Sequence, residues 1–146
     1  MRTTQRGIDL IKRFEGLRLK AYKPVKTEKY YTIGYGHYGA DVTANMVITE
    51  QKAEELLRQD LNKFEQGVTV ATLSAGLKPQ QFDALVSFAY NVGLTNFKNS
   101  TLLKYVKQNA DDLRIKNEFL KWKYAGGKVL EGLVKRRQAE AGMYFS

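Results

Sequence analysis

Apolar residues recur at helical spacing from the start of the chain. Ile8, Ile11 and Phe14, with Leu10 widening the stripe, predict a helix over Thr3 to Phe14, and Gly16 supplies its stop. The pattern then changes. Tyr22, Tyr30, Tyr31, Thr32, Ile33 and Tyr35 are strand-forming types, Pro24 and Lys26-Thr27-Glu28-Lys29 read as a loop between two short strands, and Gly34, Gly36 and Gly39 mark backbone that must bend or approach a neighbour closely. A small β-lobe of two or three strands is expected.

From Thr49, a good N-cap, the helical period returns. Ala53, Leu56, Leu57, Leu61 and Phe64 share one face, and Leu73 to Leu77, with Gly76, reads as a connection. Pro79 suits the first position of the next helix, whose stripe is Phe82, Leu85, Val86, Ala89 and Val92, and Gly93 ends it. Ser100 caps a short helix through Leu102, Leu103 and Val106. Asp111 or Asp112 opens another, anchored by Leu113, Phe119, Leu120 and Trp122. Gly126-Gly127 is a break, and Val129 to Tyr144 is the final helix.

The order is helix, β-lobe, then helices. It predicts one α+β domain over 1–146, with a β-lobe at about 17–48 joined by a long helix to a mainly helical lobe at about 66–146, on which the N-terminal helix packs. Such a two-lobed protein offers a groove at its seam. A monomer is expected, because no apolar stripe is left over.

Composition narrows the chemistry. With no cysteine there is no disulfide framework and no thiolate chemistry, and the single histidine, His37, rules out a multi-histidine metal site, so no metal or cofactor is expected. No apolar run reaches the ~20 residues of a membrane span, and Met1 to Arg13 does not resemble a signal peptide, so neither membrane insertion nor self-directed export is expected. The net charge of +9 implies an anionic partner. The basic residues are scattered over several helices without a zinc, bZIP or RRM signature, which argues against nucleic acid. Lys135-Arg136-Arg137 reads as part of a positive surface.

Two residues suggest the reaction. Glu15 closes the first helix, where the carbonyl end of the dipole and cover from Phe14 and Leu17 favour the protonated carboxyl, as a general acid requires. Thr32, on the second strand, can hold a water with its hydroxyl. An acid facing a held water is the arrangement that cleaves a glycosidic bond. Asp60 lies between Leu57 and Phe64 on the apolar side of its helix, where a lone carboxylate is costly, and His37 is its expected structural partner. Tyr90 and Asn91, at the end of the central helix, offer an aromatic face and an amide for sugar binding. Trp122 reads as a core anchor.

Assembled, Phe14-Glu15-Gly16-Leu17-Arg18-Leu19-Lys20-Ala21-Tyr22, Tyr30-Tyr31-Thr32-Ile33-Gly34-Tyr35-Gly36-His37, Ser87-Phe88-Ala89-Tyr90-Asn91-Val92-Gly93 and Gly132-Leu133-Val134-Lys135-Arg136-Arg137 with Glu140 resemble the phage-type lysozymes, in order and along essentially the whole chain. The resemblance implies a lysozyme-like α+β fold and an endolysin that cleaves the β-1,4 bond between N-acetylmuramic acid and N-acetylglucosamine in bacterial peptidoglycan. It implies Glu15 as general acid, Thr32 as the water-positioning group, His37 and Asp60 as a structural pair, and Asn91 at a substrate-binding position. Residence in the host cytoplasm until a holin opens the way to the wall follows from the same resemblance.

The chain departs from the family at one place. The family carries an aspartate, sometimes cysteine, nine residues after the glutamate and six before the threonine; here those counts land on Pro24 and Lys26, because Thr32 lies seventeen residues after Glu15. Neither can serve as a base or nucleophile. The nearest acid in the loop is Glu28. Three outcomes stay open: hydrolysis by Glu15 and a Thr32-held water, recruitment of Glu28, or a catalytically weakened or inactive peptidoglycan-binding module on the same scaffold.

Overall fold

The computed structural model describes residues 1–146. Seven helices, α1 (Gln5–Glu15), α2 (Glu50–Ala71), α3 (Pro79–Val92), α4 (Leu94–Lys98), α5 (Thr101–Gln108), α6 (Arg114–Leu120) and α7 (Glu131–Tyr144), accompany five short strands, β1 (Arg18–Tyr22), β2 (Tyr31–Gly34), β3 (His37–Gly39), β4 (Tyr124–Ala125) and β5 (Lys128–Val129). The architecture is α+β. It divides into two compact units, Ile11–Asn62 and Met1–Leu10 with Lys63–Ser146, and α1 and α2 each contribute residues to both. No helix is long and apolar enough to cross a membrane.

In the first unit β1, β2 and β3 form an antiparallel sheet in that order. Ala21, Ile33, Val42 and Leu56 make its core, with Tyr31, Met46 and Ile48 packed against them. The register moves from Arg18↔Gly34 to Tyr22↔Thr32, so β1 carries a bulge opposite a regular β2. The outer edge of β1 is held by Ala21 N–H donating to the Met46 carbonyl at 2.9 Å and by Ile48 N–H donating to the Leu19 carbonyl at 2.9 Å. Gly34 is required by its backbone: its φ is +67°, a conformation that L side chains rarely adopt.

The second unit is built around α3, which is buried on every side from Gln81 to Ala89 rather than along the expected stripe alone. Its Phe88 ring meets Phe119 and Trp122, each at 5.5 Å, in edge-to-face contacts. The caps expected at Thr49 and Ser100 form: each side-chain oxygen accepts a backbone N–H, from Lys52 and from Leu103, both at 3.1 Å.

Three expectations change. Leu113 is 78% exposed and anchors nothing, because α6 begins one residue later with Asp112 Oδ1 accepting the Arg114 N–H at 2.9 Å. The last helix starts at Glu131, since Val129 pairs with Tyr124 in a hairpin. Gly126 and Gly127 are its turn, with φ of +58° and +77°, the double positive value that tight hairpins demand. Arg136 and Arg137, read as surface charge, are 3% and 0% exposed.

The start of α1 is tied by remote carboxylates. Thr3 N–H donates to Glu65 at 2.6 Å just ahead of the helix, and Thr4 N–H donates to Asp83 Oδ1 at 2.9 Å, satisfying a donor that the helix start leaves unpaired. Gly7 permits this, because a Cβ at that position would meet Asp83 Cγ and Thr3 Cγ2 at 2.7 Å. Propensity alone favours alanine over glycine inside a helix by about 1 kcal/mol. The steric clash reverses the sign: Gly7→Ala is expected to lose about 1–3 kcal/mol in denaturant unfolding, and a stabilised variant would refute the packing.

Candidate active site

Glu15 is the last residue of α1, half-buried, and the helix ends there because Gly16 turns to φ +74° while its N–H donates to the Lys12 carbonyl at 3.0 Å. One turn earlier, Lys12 is paired with Glu54 of α2, which Arg58 Nε also reaches at 3.2 Å. The bond to Lys12 holds the Glu54 carboxyl below its usual range, with a smaller contribution from Arg58 and some opposition from burial. This network anchors the turn of α1 that carries Glu15. It lines a polar hollow of about 450 Å³ with Tyr35, Glu50, Gln51 and Glu55, which neither Glu15 nor Thr32 lines.

Thr32 sits in the middle strand, opposite Tyr38 on β3 and Tyr22 on β1, and is 8% exposed. The loop before it closes by a turn in which Glu28 N–H donates to the Val25 carbonyl at 3.1 Å. Pro24 and Lys26 are exposed and Glu28 is half-buried. Tyr30 N–H donates to the Tyr38 hydroxyl at 3.2 Å, so the loop's far end is fastened to β3.

The structure brings His37 and Asp60 together, with Nδ1 at 2.8 Å from Oδ2, and adds a partner absent from the sequence reading: Nε2 lies 2.8 Å from Asp41. Both ring nitrogens face carboxylates, and only the imidazolium donates from both. Burial opposes that charge, but the bonds to Asp41 and Asp60 outweigh it and hold the pKa above 6.5. The bond to His37 holds Asp41 below 3.8. A raised histidine pKa stabilises fully below pH 6.5 and loses that contribution as pH climbs through the folded value. The lowered aspartate contributes above pH 3.8 and loses its share as pH falls through the folded value. The melting-temperature gap between wild type and His37→Gln is therefore expected to be widest between about pH 4 and 6.5 and to narrow above it. A gap that does not vary with pH would contradict the pairing.

Tyr90 and Asn91 lie in the other unit. Tyr90 packs edge-on to Phe64 at 5.2 Å, and Asn91 Oδ1 accepts from Arg137 Nη2 at 2.6 Å. Behind Asn91 is a buried cluster that sequence reasoning missed. Glu140, fully buried, accepts from Ser87 Oγ at 2.5 Å and Arg136 Nε at 3.2 Å, and pairs with Arg137 Nε at 2.9 Å. Burial pushes the Glu140 carboxyl up and the Arg137 guanidinium down, and the neighbouring opposite charges resist both shifts. The available sequence signal was Glu140 three and four residues after two arginines, the spacing of a helical ion pair.

The matching family model is that of phage lysozyme, over residues 12–140. The chain belongs to the phage lysozyme family. An endolysin of Bacillus phage B103 is 58% identical over the whole chain and 55% of its own length. The chain spans about half the length of the curated Bacillus phage relatives it matches. Among solved structures, the muramidase domain of SpmX from Asticaccaulis excentricus superposes with a TM-score of 0.90 at 31% identity, covering 99% of this chain and 98% of that one. A P22 lysozyme variant gives 0.86 at 33% identity, covering 100% and 99%. The lysozyme-like α+β fold expected from the motifs is the fold of this family member.

Proposed function

We propose that the chain is a muramidase of the endolysin type, a glycoside hydrolase that cleaves the β-1,4 bond between N-acetylmuramic acid and N-acetylglucosamine in peptidoglycan. The observation that carries this reading is the placement of Glu15 at a helix end clamped by the Lys12–Glu54–Arg58 network, in the same compact unit as Thr32. Family membership and the endolysin and muramidase relatives support it. Glu15 gives its proton to the glycosidic oxygen as the bond breaks, and the Thr32 hydroxyl accepts from and orients the water that adds to the anomeric carbon. The proton balance closes when the water's proton returns to a base.

Glu28 is the only carboxylate between Glu15 and Asp41 and is the residue of this chain available for that second role. Tyr90 and Asn91 bind the glycan. The His37 pair serves stability, and holding β3 to α2 supports the strand next to Thr32. No metal or cofactor takes part. The protein works as a monomer, accumulates in the host cytoplasm and depends on a holin to reach the wall, where its charge of +9 favours anionic polymers.

Purified peptidoglycan with released reducing ends as the readout tests the reading. Turnover by wild type supports it. A strong loss in Glu28→Gln, with an unchanged melting temperature, would assign Glu28 as the second carboxylate. Full activity in that variant would leave Glu15 and a Thr32-held water. A folded wild type that binds peptidoglycan without releasing ends would replace the enzyme with a wall-binding module.

A further inference from the structure

Five successive cations of the chain, Arg18, Lys20, Lys23, Lys26 and Lys29, fall on β1 and the loop that follows it, with Glu28 the single acid among them. None of the five is in an ion pair, although Lys12, Lys52 and Arg58 of the same unit each meet a glutamate. Aromatic rings hold three of the five instead. Arg18 lies over Tyr22 at 4.4 Å, Lys23 over Tyr31 at 4.8 Å and Lys29 over Tyr30 at 5.3 Å. Tyr30 in turn meets Tyr38 at 5.5 Å.

A ring positions a cation without neutralising it. The stacked side chain gives up its freedom on folding rather than on binding, and its N–H groups are left without a carboxylate acceptor. The result is an ordered, uncompensated positive surface, which favours a polyanion. Its surroundings narrow the class. The outer edge of β1 is already bonded through the Met46 carbonyl and the Ile48 N–H, so a partner strand finds no free ladder there. The rings that would stack bases are engaged: each carries a cation, Tyr31 also packs on the core, and Tyr30 on Tyr38. A chain of repeating phosphates without bases fits what is left.

We propose that this surface binds a polyol-phosphate polymer attached to the cell wall. The three ring-held cations, Arg18, Lys23 and Lys29, are its principal contacts, and Lys20 and Lys26 add to the field. The contact is separate from hydrolysis: it adds a partner to the muramidase reading and does not depend on turnover.

Cosedimentation with purified walls carrying poly(glycerol phosphate), before and after hydrofluoric acid strips the polymer, tests the proposal. Wild type is expected to bind the intact wall about tenfold more tightly than the stripped one. Arg18→Gln combined with Lys23→Gln and Lys29→Gln should lose about that factor, the worth of three exposed charge contacts. Lys98→Gln combined with Lys104→Gln and Lys107→Gln is the control, because it removes the same charge from a hollow beside α5 in the other unit, and it should keep most of the binding. Equal losses in the two triple variants overturn the proposal, since net charge alone would then account for binding. Equal binding of wild type to intact and stripped walls also overturns it. So does a larger loss by the first variant on duplex DNA or phosphatidylglycerol vesicles than on the wall. If the first variant does not fold, wild type still answers: soluble poly(glycerol phosphate) is expected to shield Lys23 and Lys29 from acetylation and to leave Lys104 and Lys107 reactive. Uniform reactivity overturns the proposal. Reducing ends released from the stripped wall report on the muramidase reading separately.

Discussion

Glu15→Gln is expected to lower peptidoglycan turnover by about 100- to 10,000-fold, the usual contribution of a positioned general acid. The substitution keeps the length and shape of the side chain and removes only the acidic proton. The isosteric amide can still accept and donate hydrogen bonds, and the end of α1 is set by the positive φ of Gly16. The melting temperature should accordingly stay within a few degrees of wild type. Glu15→Asp provides a second measurement. It keeps the acid but withdraws it by one methylene, and a displacement of about 1 Å in a reacting group can cost on the order of 100-fold. A Glu15→Gln protein that is folded and releases reducing ends at the wild-type rate would remove Glu15 from the mechanism.

The largest effect on stability is expected at Glu140. Glu140→Gln leaves Arg136 and Arg137, both buried, without the anion that sits against each of them. Removing one partner from a buried ion pair typically costs about 3–5 kcal/mol, since the remaining charge stays desolvated. In a chain of this length that corresponds to a fall in melting temperature of roughly 10 °C. Glu131→Gln is the control. Glu131 and Lys135 also form an ion pair on α7, at 3.4 Å, but their side chains are 82% and 64% exposed. That pair should be worth less than about 1 kcal/mol. Equal losses in the two variants would mean that the buried cluster carries no special weight.

The cluster also shows where sequence reasoning stops. Lys135-Arg136-Arg137 reads as a run of surface charge, and only Lys135 behaves as one. The burial of the other two depends on Ser87, Asn91 and Glu140, of which Ser87 and Asn91 lie about fifty residues away in the chain. Glu140 was within helical reach, yet its spacing fits a solvated pair on a helix face as well as a buried one. His37 repeats the lesson in part. The apolar neighbours of Asp60 pointed to a needed cation, whereas Asp41, on an exposed turn, left no comparable signal.

What the sequence determined by itself was everything carried within a few residues. Gly16, Gly76 and Gly93 end or turn helices because their backbone takes a positive φ, and Thr49, Pro79 and Ser100 open them because the first turn leaves N–H groups to be satisfied or omitted. The motif around Glu15 and Thr32 was legible for the same reason, since a short ordered string of residue types identifies a family without reference to distant contacts. Only the tertiary structure decided the rest: the burial of α3 on all sides, the carboxylates of Glu65 and Asp83 that tie the start of α1, the need for Gly7 beneath Asp83, the β4–β5 hairpin in place of a simple break, and the burial of Arg136 and Arg137. Each of these except the hairpin depends on groups far apart in the chain, and in the hairpin the turn geometry was open until the flanking strands paired. Local propensity constrains the backbone, while desolvation and charge pairing are settled by whichever distant side chains the folded chain brings into contact.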